Sequence, residues 1–184
     1  MPDEPRVPPL PVDERDERTA ELLASFRRRP GDDDLHLFAT LARHPRLLKR
    51  WSAFGGLLLA GGTLPPRDRE VLILRTAANC GADYEWGHHL DIGRAVGLTD
   101  DEMATLATPV AAEGDGPDAV LVRAADELHE ANVIGDATWE ALAARYDDAQ
   151  LIEVPMVVGQ YHLVAFTLRS LGIRPEDGVE GIPR

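Results

Sequence analysis

The sequence predicts an all-α fold, and three observations carry that prediction. Apolar residues recur at helical spacing in segment after segment. No stretch sustains a period-two alternation of apolar and polar residues. Residues that start and stop helices punctuate the chain at short intervals.

Residues 1–13, rich in proline and acid, are expected to form a flexible arm. From Glu14 onward Leu22, Leu23 and Phe26 repeat at helical spacing. Asp32, Asp33 and Asp34 then supply an acidic N-terminus for a helix carrying Leu35, Phe38, Leu41 and Ala42. Pro45 opens the next helix, through Leu47, Leu48, Trp51, Phe54 and Leu58, which Gly61 and Gly62 end. After Leu64-Pro65-Pro66, the residues Glu70, Ile73, Leu74 and Ala77 fall at i, i+3, i+4 and i+7, and the helix stops near Gly81. Asp83 is the expected N-cap of a helix holding Glu85 and His89, closed by Gly97. Thr99 with Glu102 is a capping-box pattern. Residues 111–117, with Gly114 and Gly116, read as a linker. Helices are expected over 118–132, 136–146 and 147–171, with Pro155 kinking or interrupting the last. The segment Gly159–His162 followed by Leu171-Gly172-Ile173 faintly echoes Gly81 to Leu98, which suggests a degenerate internal repeat. The organisation is thus one helical domain over 14–175 and a tail over 176–184.

Composition narrows the function classes. At 184 residues the chain can bury a substantial core. A formal net charge of −13 argues against nucleic acid as partner, because a phosphate reader needs a basic stripe. Cys80 is the only cysteine, which excludes a dithiol redox cycle within one chain. Met1 to Arg6 shows no secretory pattern, and no uninterrupted apolar run approaches membrane-spanning length. A cytoplasmic protein without a membrane partner is expected.

The chemistry concentrates in Glu70 and in Tyr84-Glu85-Trp86-Gly87-His88-His89. Glu85 and His89 stand four apart, on one face of a helix, in a stripe with Ile92 and Val96. Glu70 heads the apolar stripe of the preceding helix. A carboxylate and an imidazole on an apolar face are costly to bury and suited to proton transfer. Desolvation raises the carboxyl pKa, and the first-turn helix dipole opposes it for Glu85. The bland alternative is a structural salt bridge or cap. Tyr84 and Trp86 read as packing groups or pocket walls, and His88 as a bystander on the flank. Adjacent His88 and His89 diverge by about 100° and rarely chelate one ion with Glu85, so no metal site is expected. His36, His44, His129 and His162 read as isolated, and Cys80 as a small buried hydrophobe.

The stretch from Leu64 to Leu98 resembles the carboxymuconolactone decarboxylase family, which includes the alkylhydroperoxidase D-like proteins. That family carries a Glu, eleven residues, Cys-x-x-Cys-x-x-x-His, and a Gly further on; here Glu70, Ala82, Glu85, His89 and Gly97 take those places. The resemblance implies an alkylhydroperoxidase D-like helical bundle that self-associates, commonly as trimers or hexamers. Peroxidase members use both thiols, which Ala82 and Glu85 remove; the decarboxylase branch uses Glu-x-x-x-His there. By that resemblance Glu70, Glu85 and His89 are catalytic, on a small lactone or unsaturated carboxylate, with no cofactor. Tyr84 and Trp86 would wall the substrate, and Arg75 or Arg67 would supply a cation for its carboxylate. A peroxidase using Cys80 with an external thiol and a non-catalytic scaffold are the rivals. Trp51, Phe54, Leu57, Leu58 and Leu59 suggest apolar surface left for assembly.

Overall fold

The computed structural model describes residues 4–27, 32–114 and 116–183. Residues 1–3 of the expected arm, Asp115 of the expected linker and Arg184 of the tail lie outside the described residues. Within them the protein is helical without strands: α1 (Glu17–Ala24), α2 (His36–Leu41), α3 (Pro45–Gly56), α4 (Pro66–Cys80), α5 (Asp83–Ala95), α6 (Asp100–Leu106), α7 (Pro117–Ala131), α8 (Asp136–Ala143) and α9 (Asp148–Leu171).

The centre of the molecule is α4, against which α5, α7 and α9 all pack. An amphipathic helix needs only one apolar face, yet α4 is buried on every side from Asp68 to Ala77. Its polar residues are therefore paired inside the protein. Asp68 accepts from Arg145 and from the Tyr146 hydroxyl, both at 2.7 Å. Arg75 grips Asp126 at 2.6 and 2.8 Å. Around this axis Val71, Leu72, Ile73 and Leu74 meet Leu121, Val122, Val154, Val157 and Val158 in one core.

Helix ends largely follow the sequence. Thr99 and Glu102 form the expected capping box, and Asp147 forms another with Gln150. Gly81, Gly97 and Gly172 adopt φ of +59°, +94° and +70°. Each is followed by an N–H that reaches back across the last turn: Ala82 to Ala77, Leu98 to Gly93 and Ile173 to Leu168, all at 2.9 Å. The same stop thus appears three times. The likeness of 81–98 to 159–173 rests on that shared stop, since the first encloses all of α5 and the second is only the end of α9. An internal repeat stays unconfirmed.

Asp34 stands just before α2 and pairs with Arg15 at 2.5 Å and Arg27 at 2.7 Å. Three local expectations change. Asp83 is the first residue of α5 rather than its cap, and it accepts the N–H of Ile182 at 2.9 Å. The helix α9 runs through Pro155 without interruption. The described part of the expected arm is tied to the body: Arg6 N–H donates to Leu171 and Leu10 N–H to Ala39.

The tail beyond α9 crosses α5. Its close approach needs Gly87, where an added Cβ would lie 2.3 Å from Val179 and 2.4 Å from the Glu180 carbonyl oxygen. Among the described residues α9 alone is long and apolar enough to cross a membrane, and half of its apolar window is packed inside the protein.

Candidate active site

Consecutive packing of α4 and α5 brings the first two candidates together. Glu70 has no exposed surface and accepts a hydrogen bond from His89 Nδ1 at 2.7 Å. Its other oxygen takes the Arg69 Nε–H at 3.1 Å. With Nδ1–H held by a carboxylate, Nε2 of His89 is the nitrogen left for chemistry. The edge of the Tyr161 ring from α9 meets the His89 ring at 5.0 Å and nearly at right angles. That contact fixes the orientation of the imidazole.

Glu85 is the third candidate, one turn before His89 on α5. It is buried, and neither carboxylate oxygen has a hydrogen-bond partner. Burial pushes its pKa well above the ordinary carboxylate range. Of the two opposed effects expected at this position, desolvation therefore outweighs the helix dipole and favours the neutral form of Glu85.

Glu85 and His89 both line a cavity of about 370 Å³, a volume suited to a small organic molecule. Its walls are apolar and aromatic, with Leu37, Phe38, Trp51, Leu59, Tyr84 and Tyr161 among them. Phe26, Leu35, Leu37 and Phe38 come from the N-terminal quarter of the chain, and Phe26 stacks on Phe38 with centroids 4.4 Å apart. The Trp51 indole N–H is buried without a partner, an unspent donor in this wall.

The other expected site residues divide. Tyr84 lines the cavity and donates to Glu176 at 3.2 Å. Trp86 does not line it: one residue on from Glu85, it turns about 100° around α5 and is buried in the main core. Arg75 is also absent from the walls, because five residues carry it about 140° around α4 from Glu70. There it bonds Asp126 and the carbonyls of Leu106 and Thr108. Arg67 holds Asp118 and Glu102 instead. Among the described residues no arginine or lysine lines the cavity.

Sequence reasoning missed Trp51, Gln160, Tyr161 and His88. His88 is no bystander: it lines the cavity and meets Glu176 of the tail at 2.5 Å. Burial opposes ionisation of Glu176, but hydrogen bonds from His88 and the His36 N–H prevail and bring its pKa down to about 2. Spacing held the one available signal, since Tyr84 and His88 are four apart and their rings lie 4.5 Å from each other. Cys80 does not line the cavity, and burial pushes its thiol up to about 11. His129 and His162 are not isolated either; their ring nitrogens stand 2.9 Å apart.

Residues 45–127, which contain Glu70, Glu85 and His89, match the Carboxymuconolactone decarboxylase family. By that segment the chain is similar to the carboxymuconolactone decarboxylase family. Solved structures share its fold. An alkylhydroperoxidase AhpD core, an uncharacterized peroxidase-related protein from Ralstonia eutropha JMP134, is 20% identical with a TM-score of 0.77, covering 93% of each chain. A peroxidase-related protein from Silicibacter sp. TM1040 is 16% identical with a TM-score of 0.77, covering 97% of this chain and 92% of its own. A cysteine-to-alanine variant of the debrominase Bmp8, in complex with 2,3,4-tribromopyrrole, is 14% identical with a TM-score of 0.73, covering 96% of this chain and 95% of its own. A search of curated proteins by sequence returns no match. At these identities the likeness to solved structures speaks to the fold, and the fold of this chain is the alkylhydroperoxidase D-like bundle.

Proposed function

We propose that this protein is a cofactor-independent acid–base enzyme of the decarboxylase kind, acting on a small lactone or unsaturated carboxylate. The observation that carries the reading is Glu85, a neutral carboxyl in a cavity wall with both oxygens unpartnered. A buried polar group left without partners costs folding free energy, and a ligand that accepts its hydrogen bond offsets that cost.

The apolar and aromatic character of the described cavity walls suits decarboxylation. An apolar surround destabilises a localised carboxylate more than the delocalised dienolate that follows it. The C–C bond to the substrate carboxylate breaks, carbon dioxide leaves, and the electron pair spreads through the conjugated lactone to its carbonyl oxygen. Glu85 then gives its proton to the carbon end of the dienolate. The resulting Glu85 carboxylate recovers a proton from solvent through His89 Nε2, while Glu70 keeps Nδ1 protonated. The unpartnered Trp51 N–H is one donor available to orient the lactone oxygens.

The rival based on thiol chemistry is disfavoured by the placement of Cys80 outside the cavity. A scaffold role leaves the unpartnered Glu85 without a purpose. Self-association belongs to the same proposal, with α9 supplying the apolar surface.

The test is turnover in deuterium oxide with a panel of small unsaturated lactones, with and without a carboxyl group. The expected result is loss of carbon dioxide and one deuterium on one product carbon. Glu85→Gln, an isosteric change, should lower the rate by about 10²–10⁴-fold. Turnover that is equal in wild type, Glu85→Gln and His89→Ala would sink the reading.

A further inference from the structure

A second cluster of chemically capable side chains lies outside the cavity. Cys80 is the last residue of α4, His129 is in the last turn of α7, and His162 is in α9. The Cys80 Sγ and one ring nitrogen from each histidine all lie within 4.8 Å of one another. None of the three lines the cavity that holds Glu85.

The hydrogen bonding around the cluster is of the kind that prepares metal ligands. His162 Nδ1 stands 2.9 Å from the Val158 carbonyl oxygen, so it carries the proton. That leaves the Nε2 lone pair directed at His129 Nδ1, 2.9 Å away. A ligating imidazole typically has such an outer carbonyl partner, which fixes its tautomer and raises its basicity. Two imidazole nitrogens facing each other need a proton or a cation between them. The C-terminal end of α7 meets the cluster, and its carbonyl-end partial charge favours a cation. The end of α4 receives the Arg169 guanidinium on the Cys80 carbonyl, a positive charge that favours the Cys80 thiolate. Nothing in the Glu70, Glu85 and His89 chemistry uses any of these three groups.

We propose that Cys80, His129 and His162 bind one zinc ion per chain. One thiolate and two imidazoles suit a borderline-soft ion with tetrahedral preference, and the lack of oxygen ligands disfavours calcium or magnesium. His129 is exposed, which gives the ion an entry path and leaves a fourth position for water. On binding, the Cys80 thiol releases its proton to solvent and the His129 proton shifts to its outer nitrogen, so one proton is released per ion. The bound ion would clamp α4, α7 and α9, the helices that carry Glu70 and Tyr161.

Cobalt(II) replaces zinc in such sites and reports a thiolate ligand by a charge-transfer band in the near ultraviolet. The experiment titrates cobalt chloride into the metal-free full-length chain without a histidine tag, then adds zinc chloride. The expected result is a charge-transfer band saturating at one equivalent per chain and abolished by zinc. In Cys80→Ser the band disappears, and in His129→Gln the cobalt affinity falls at least about tenfold. Because His129 is exposed, that variant remains a valid test even if Cys80→Ser proves unstable; helical circular dichroism checks the fold of both. A folded wild-type protein with no band at saturating cobalt overturns the proposal. So does a band that persists unchanged in Cys80→Ser, or an affinity unaltered in His129→Gln.

Discussion

Glu85 turns the usual pH logic of a carboxyl group around. Most native carboxylates have depressed pKa values, so acid destabilises the fold by protonating them. Burial raises Glu85 above its unfolded value instead. Between those two values the native state holds a proton that the unfolded state has lost. Stability from this group is therefore complete below the ordinary carboxylate range and declines as pH rises toward the folded pKa. Glu85→Gln keeps the shape and removes the ionisation. Its melting temperature should match that of the wild type near pH 4 and exceed it increasingly above that pH, levelling off once Glu85 is ionised in the folded state. Thermal melts across pH check this, and a variant that loses ground to wild type as pH rises would exclude a buried neutral Glu85. A site that gains stability when its acid is removed is holding that acid for function.

At the scale of elements, α5 is held between the cavity and the tail, and the tail latch titrates in the opposite sense. Glu176 accepts from His88, from Tyr84 and from the His36 N–H, and its folded pKa of about 2 lies below the ordinary carboxylate range. Its contribution is present above that range and is lost as pH falls toward 2. Glu176→Gln should cost about 1–2 kcal/mol at pH 7, after allowance for its partial exposure, and the deficit should close as pH drops. Denaturant melts at several pH values measure it, with hydrogen exchange over 173–183 showing whether the tail loosens. The sequence made α4, α5 and their caps legible because their signals are local: periodicity, a glycine stop, a capping box. The dyad of Glu70 and His89 was legible for the same reason, each residue lying on an apolar stripe of its own helix. Tyr161 and Trp51 were not, because an aromatic residue at helical spacing looks the same whether it meets a core or a cavity. Trp86 shows the converse error. Its neighbour Glu85 faces the cavity, so Trp86 cannot, and the core receives it. Arg75 misled in another way: it was expected to meet a substrate carboxylate, but Asp126 from α7 holds it.

At the scale of the whole molecule, the segment that matches the family supplies only part of the cavity wall. Glu70, Glu85 and His89 lie within residues 45–127, while Phe26, Leu35, Leu37 and Phe38 precede them and Gln160, Tyr161 and Val164 follow. The proton-handling groups thus come from the shared part, and much of the wall that would select a substrate comes from outside it. The long helix α9 serves both cavity and surface. It is apolar nearly all round: Tyr161 and Val164 face the cavity, while Ile152, Met156, Leu163 and Phe166 are exposed. Those four positions fall within about 80° of one another around the helix, a continuous stripe. Of the surface residues expected for assembly, Leu58 is buried and Leu59 lines the cavity, because the chain from Leu57 to Gly61 is a π-helical turn. Leu57 and Phe54 remain exposed. An apolar stripe of this length on a chain of net charge −13 needs a cover that also tolerates like charge, and a second copy meeting it stripe to stripe keeps the acidic surfaces apart. Phe166→Glu places a charge in the middle of that contact. Sedimentation equilibrium should show the wild type as a closed oligomer and the variant shifted toward monomer by at least about tenfold in dissociation constant, with its helical spectrum unchanged. A wild-type protein that sediments as a monomer at micromolar concentration would mean that α9 is covered by something other than its own copy.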